Sequence, residues 1–225
     1  MPTSHIPLRL YLLRHGESMD NQAHRFGGSR DSALTAQGLH QSQAASERLA
    51  RVALDAVYTS PAKRSQVMAD LLCAGRPLVA TVCHALRETS FGCWEGKTYA
   101  EVYSRDPDAC RLWMDNPLTA APPGGESFLA CVARVRAMPE EFTRMATGRG
   151  SALGRPFRIA VVAHGGVLRA LAVCLLAAEP SLALRLTFDN ASLSVVDLFG
   201  ETAVIRCLND TSHLSEVESC WQNPS

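Results

Sequence analysis

Two apolar runs in this chain break off in the same way. Leu8 to Leu13 ends in Arg14-His15-Gly16, and Phe157 to Ala163 ends in His164-Gly165-Gly166. Each reads as a buried strand, because the run is short and nearly continuous. Behind the second, Val167 to Ala178 reads as a buried helix. Shorter apolar stretches at 55–59 and 78–82 predict two more strands, and Leu193–Leu198 with Ala203–Leu208 predicts a closing hairpin turning at Gly200. Helical spacing appears between them. A helix is expected from the Thr35 cap to about Val52, with Leu39 and Leu49 facing inward. Ser60-Pro61 has the form of a cap followed by a first-turn proline, which puts Arg64 in the first turn of the next helix. Short helices follow at 97–105 and 108–114. From Glu126, apolar residues recur at helical spacing (Phe128, Cys131, Val132, Val135, Met138, Phe142, Met145), and Pro139 predicts a kink or break. Residues 148–156 read as a mobile loop.

Strands alternating with helices give an α/β class. The expected architecture is a three-layer α/β/α sandwich with a mostly parallel sheet, a closing antiparallel hairpin and a small helical cap inserted at about 92–125. The whole of 1–225 forms one domain with a loose tail over 215–225, where Trp221 could dock. A hydrophobic content of 47% is enough for a sizeable core. The 22 basic residues balance 22 acidic ones, which argues against a nucleic-acid surface. No run has the length of a membrane span, and Met1–Pro7 lacks the form of a secretory signal. The eight cysteines are scattered without a Cys-x-x-Cys pair, so free thiols in a reducing cytoplasm are expected rather than disulfides or zinc. A homodimer is the default assembly.

In a parallel sheet the loops at the carboxyl ends of the strands share one face. That face would collect Arg14 and His15, Ser60 and Arg64, Glu88, and His164. A neutral imidazole is a nucleophile near pH 7, and guanidinium groups hold anions. The set would suit chemistry on a phosphoryl group; residue by residue, His15 also reads as a strand-end histidine without chemistry, and Arg64 and Glu88 as solvated surface groups. No cluster has metal-ligand spacing, and no Walker loop is present. His5, His24, His40, His84 and His213 match no such pattern and read as structural or surface residues.

The same segments resemble the histidine phosphatase superfamily, the phosphoglycerate mutase-like enzymes. They are Arg14-His15-Gly16-Glu17-Ser18 with Asn21, Arg25-Phe26-Gly27-Gly28, Leu34-Thr35 with Gly38, Ser60-Pro61 with Arg64, Glu88 with Phe91-Gly92 and Trp94-Glu95-Gly96, and His164-Gly165-Gly166. Pro122-Pro123-Gly124-Gly125-Glu126-Ser127 looks like the α-ribazole phosphatase and broad-specificity phosphatase branch. The resemblance implies a cofactor-free, metal-independent phosphomonoesterase acting on a small phosphate ester, such as α-ribazole 5′-phosphate. His15 would be the nucleophile. Arg14, Arg64 and His164 would hold the equatorial oxygens, Asn21 and the Gly165 amide would add neutral donors, and Gly27 and Gly28 would belong to the substrate loop. Glu88 would protonate the leaving alkoxide and then activate water.

Two other functions compete. A phosphoglycerate mutase would carry Glu-Arg-His-Tyr-Gly where this chain has Glu88-Thr89-Ser90-Phe91-Gly92, and Asn where it has Gly166. A non-catalytic phosphate-binding domain would be expected to have lost the nucleophile or the arginines, and all are present. Trp94, Tyr99, Tyr103 and Trp113 are either cap core or a platform for a substrate ring.

Overall fold

The computed structural model describes residues 8–147 and 149–214. The tail over 215–225, Trp221, and the Met1–Pro7 segment with His5 lie outside these residues. Six strands form one sheet in the order β3-β2-β4-β1-β5-β6. They are β1 (Leu8–Arg14), β2 (Ala56–Thr59), β3 (Thr81–Val82), β4 (Phe157–Ala163), β5 (Leu193–Phe199) and β6 (Thr202–Asp210). β1 runs parallel to β4, and β2 parallel to both β4 and β3. β5 closes antiparallel on β1 and pairs antiparallel with β6, with Gly200 in the turn at φ +63°.

The helices are α1 (Met19–Gln22), α2 (Ala36–Arg48), α3 (Lys63–Cys73), α4 (Tyr99–Arg105), α5 (Pro107–Asp115), α6 (Phe128–Val135), α7 (Met138–Ala146), α8 (Arg149–Leu153) and α9 (Gly165–Leu175). Strand alternation sorts the core into two halves. Leu8, Leu10 and Leu12 of β1, with Ile159 and Val161 of β4, face α6, α7 and α9. Tyr11 and Leu13, with Ala160 and Val162, face α2 and α3. The expected three layers are thus present. Both central strands are buried on both faces, which explains why they read as apolar runs and not as alternating ones.

Several expectations change at element ends. β3 is two residues long instead of five and both are exposed, because its ladder can only match the end of the four-residue β2. α2 stops at Arg48, and Leu39 faces solvent while Leu49 is buried. The long helix from Glu126 is broken into α6 and α7, with Pro139 in the first turn of α7, where its missing N–H costs nothing. Part of the expected loop 148–156 is α8. No helix of the described residues is long and apolar enough to cross a membrane. All seven cysteines among the described residues are free thiols.

The cap has its own small core. Trp94, Val102 and Cys110 are buried, with Phe26, Phe91 and Trp113 against them. Trp94 and Trp113 meet edge-on at 5.6 Å between centroids. Tyr99 and Tyr103 stack on each other at 5.9 Å on the outer surface. These tryptophans are cap core, and the two tyrosines are each other's ring partner.

Candidate active site

β1 and β4 are adjacent and in register, with Arg14 opposite Ala163, so their ends bring Arg14, His15 and His164 together. The two imidazoles lie 4.9 Å apart, edge to face. Both are almost completely buried, His15 at 3% and His164 at 1% exposure. Gly16 is required here by close approach and not by a left-handed turn. A Cβ on it would run into the Gly38 carbonyl of α2, and a Cβ on Gly38 would run into the Glu17 carbonyl. The loop after β1 therefore lies directly on the first turn of α2, where Thr35 caps the Gly38 N–H.

The proton on His15 is placed by its neighbours. Its Nδ1 lies 2.6 Å from the Gly16 carbonyl, which can only accept, so Nδ1 carries the hydrogen. Nε2 then holds the lone pair, and Arg64 Nε donates to it at 3.2 Å. Burial lowers the His15 pKa well below 6.5, and the Arg64 and Arg14 charges lower it further. The ring is neutral and nucleophilic at neutral pH.

Arg64 is held by the loop before α2. Its Nη1 donates to the Arg30 carbonyl at 2.6 Å and its Nη2 to the Gly28 carbonyl at 3.0 Å. Burial lowers its pKa, and the Glu88 charge works in the other direction. Gly28 thus meets the site through its carbonyl on Arg64. Its own α-carbon faces Glu95, and Gly27 accepts from the Arg30 N–H. Arg14 Nη1 donates to the Phe188 carbonyl at 2.7 Å, and burial lowers its pKa as well.

Ser60 departs from its expected role. α3 begins at Lys63 behind an Ala62 cap that makes no side-chain bond. The Ser60 hydroxyl lies 2.7 Å from His164 Nε2 instead. Burial, then the neighbouring His15 ring and the Arg64 and Arg14 guanidinium groups, lowers the His164 pKa well below 6.5.

Glu88 sits at the start of α9. Its Oε1 accepts from the Thr89 and Val167 N–H groups, and its Oε2 from Gly166 N–H at 3.1 Å. Gly165 lies against the Arg14 guanidinium, 3.7 Å from where its Cβ would stand to Nη1. Asn21 closes a capping box with Ser18, and its Oδ1 also accepts from Asn190 Nδ2 at 3.0 Å. That leaves the Asn21 NH₂ as a donor. Neither the Phe188 carbonyl nor Asn190 stood out in the sequence: a backbone carbonyl has no residue signature, and Asn190 lies in a loop like any other.

Among the buried side-chain atoms of the described residues that have no hydrogen-bond partner are Arg14 Nε, Thr89 Oγ1 and His164 Nδ1. Of these residues, His164 packs its ring against His15 and Arg14 acts on it electrostatically. Buried polar atoms are rarely left unpaired, and the guanidinium N–H of Arg14 is of the kind that an anion accepts from.

Known proteins share this arrangement. The family model of the histidine phosphatase superfamily, branch 1, matches residues 10–211. A bifunctional protein of Mycobacterium tuberculosis is 35% identical over 92% of this chain, which spans about half of that relative (55%). Adenosylcobalamin/α-ribazole phosphatase of Escherichia coli is 31% identical over 90% of this chain and 96% of its own length. Among solved structures, mycobacterial glucosyl-3-phosphoglycerate phosphatase superposes with a TM-score of 0.82 at 30% identity, covering 91% of this chain and 99% of that one.

Proposed function

The chain belongs to the histidine phosphatase superfamily, branch 1, and we propose that it is a metal-independent phosphomonoesterase working through a phosphohistidine on His15. The observation that carries this reading is the placed lone pair: His15 Nε2 is free of its proton, buried, and beside the Arg64 and Arg14 guanidinium groups.

In the first step the Nε2 lone pair forms a bond to phosphorus as the ester P–O bond breaks. Arg64 Nε exchanges the nucleophile for a phosphoryl oxygen as the substrate enters. Arg14, Arg64 and His164, with Asn21 Nδ2 and the Gly165 N–H, meet the charge on the equatorial oxygens. Glu88 gives its proton to the leaving alkoxide. In the second step Glu88 takes a proton from water, the water oxygen bonds to phosphorus, and the P–N bond breaks. Inorganic phosphate leaves and the neutral imidazole is restored.

Gly166 favours hydrolysis over the mutase reading. A Cβ there would stand 2.6 Å from Glu88 Oε1, so the asparagine of the mutase pattern would displace the carboxylate from this position. The substrate is a small phosphorylated metabolite, with α-ribazole 5′-phosphate the first candidate because of the Pro122–Ser127 segment and the relative that carries that name.

Phosphate release in EDTA tests the reading, with α-ribazole 5′-phosphate, 3-phosphoglycerate, phosphoserine, sugar phosphates and an aryl phosphate as the panel and His15→Ala as control. Turnover that His15→Ala abolishes, with acid-labile phosphate trapped on the wild-type protein, is expected. Preference for α-ribazole 5′-phosphate would set the substrate, and broad slow hydrolysis would remove it. Isomerisation of 3-phosphoglycerate without release would reinstate the mutase, and no turnover of any ester would leave a phosphate-binding domain.

A further inference from the structure

We propose that Ser60 is a positioning residue that sets the tautomer of His164, so that the ring presents an Nδ1–H, and not a lone pair, to the phosphoryl group. The inference rests on the phosphatase reading for its consequence, but its geometry stands by itself.

Ser60 has one proton to give and few places to put it. The residue is completely buried directly after β2. Its N–H continues the parallel ladder to the Val162 carbonyl at 3.0 Å, so its backbone is fixed relative to β4 and hence to His164. The hydroxyl oxygen accepts from the Ala62 N–H at 3.3 Å. Within reach of its O–H stands His164 Nε2, at 2.7 Å. A second hydroxyl, Ser65 Oγ, approaches the same nitrogen at 3.5 Å and can donate to it as well. If Nε2 carried the ring proton, the buried Ser60 hydroxyl would have no acceptor for its own. With the Ser60 proton directed at Nε2, a neutral imidazole must carry its hydrogen on Nδ1.

Nδ1 is the buried atom left without a partner beside Arg14 Nε. In this tautomer it is a donor, as Arg14 Nε is, and each can give an N–H to a phosphoryl oxygen. In the other tautomer Nδ1 would turn a lone pair toward an oxyanion. The His15 ring, 4.9 Å away, is set by the same device with the opposite acceptor: the Gly16 carbonyl holds its proton on Nδ1, and the attacking nitrogen is Nε2. A carbonyl therefore prepares one ring to attack and a hydroxyl prepares the other to donate.

The test reads the proton directly. Two-bond ¹H–¹⁵N correlation spectra distinguish a protonated from a bare ring nitrogen, and the His164 signals are identified by their loss in His164→Gln. The wild-type protein is expected to show His164 protonated on Nδ1, with or without inorganic phosphate. Ser60→Ala is expected to admit the Nε2–H form, to weaken inorganic phosphate binding about tenfold, and to lower kcat by roughly 10–10², short of or equal to the loss of one oxyanion donor. Ser60→Thr, which keeps the hydroxyl, is expected to restore the tautomer and most of the rate. A wild-type His164 protonated on Nε2 would overturn the proposal without any variant. So would a folded Ser60→Ala protein with the wild-type tautomer and phosphate affinity. Because the spectra need no substrate, they report on Ser60 even if the panel above shows no turnover; the phosphatase reading fails separately, through His15→Ala.

Discussion

His15 shows how much of this site is decided by single atoms. Its pKa is lowered well below the usual value by burial and by Arg64 and Arg14, so it stays neutral in moderately acidic solution. The acid limb of kcat/KM should therefore not follow an ordinary histidine. Activity is expected to persist through pH 6.5 and to fall only at lower pH; a limb centred at pH 6.5 would show that the nucleophile titrates normally. Gly166 gives a second prediction at this scale. Its absent side chain leaves room for the Glu88 carboxylate, which is bound at its flexible end. Gly166→Ala should push that carboxylate off its amides and lower kcat by about 10² while changing KM little, the signature of a group acting in the transition state. Equal loss in kcat and gain in KM would point to a distorted pocket instead.

Elements matter here through where they end. β1, β2 and β4 stop at the same level, and α3 and α9 start there, which brings residues 49 positions apart, such as His15 and Arg64, into contact. On the other side of β1, β5 and β6 are tied to it by one carboxylate. Asp197 on β5 is fully buried and accepts from Arg9 Nε at 2.6 Å and Arg206 Nε at 2.8 Å. Burial opposes its charge, but these hydrogen bonds prevail and lower its pKa. The two arginines reach solvent and the carboxylate does not, so the staple should be asymmetric. Asp197→Ala frees two cations that water can take up, and is expected to cost about 1–3 kcal/mol. Arg9→Ala with Arg206→Ala strands a buried carboxylate and should cost about 3–5 kcal/mol. Urea denaturation of both variants checks the order, and a reversed order would count against the burial argument.

For the molecule as a whole, the buried imidazoles set the response to acid. His15 and His164 have folded pKa values depressed below the unfolded value, chiefly by burial. Between those values the unfolded chain binds protons that the folded chain does not, so stability is complete above about pH 6.5 and declines as pH falls below it. Each ring contributes a slope of up to about 1.4 kcal/mol per pH unit. Asp197 acts in a different window: its depressed pKa stabilises the fold above about pH 3.9, and that contribution is lost as pH falls further. Urea midpoints measured without phosphate at pH 7.5 and 5.5 should show the histidine slope, and His164→Gln should reduce it. A flat profile over that interval would mean the rings are protonated in the fold.

The two apolar strands, their His-Gly endings, the α/β class and the closing hairpin were legible in the sequence because each depends on local periodicity and residue type. Arg14, His15, Arg64, Glu88 and His164 were legible as well, since strand ends and helix starts of a parallel sheet share one face. Other features were not. Ser60 looked like a helix cap because Ser before Pro has that local form, and only the neighbouring β4 brought His164 to its hydroxyl. The tryptophans of the cap had two readings until Phe26 closed on them from a distant loop. The sequence by itself determined which groups are available and near which ends they lie. Only the tertiary structure decided which nitrogen carries a proton and which carbonyl holds which guanidinium, because those depend on distances of about 3 Å between residues that local pattern does not relate.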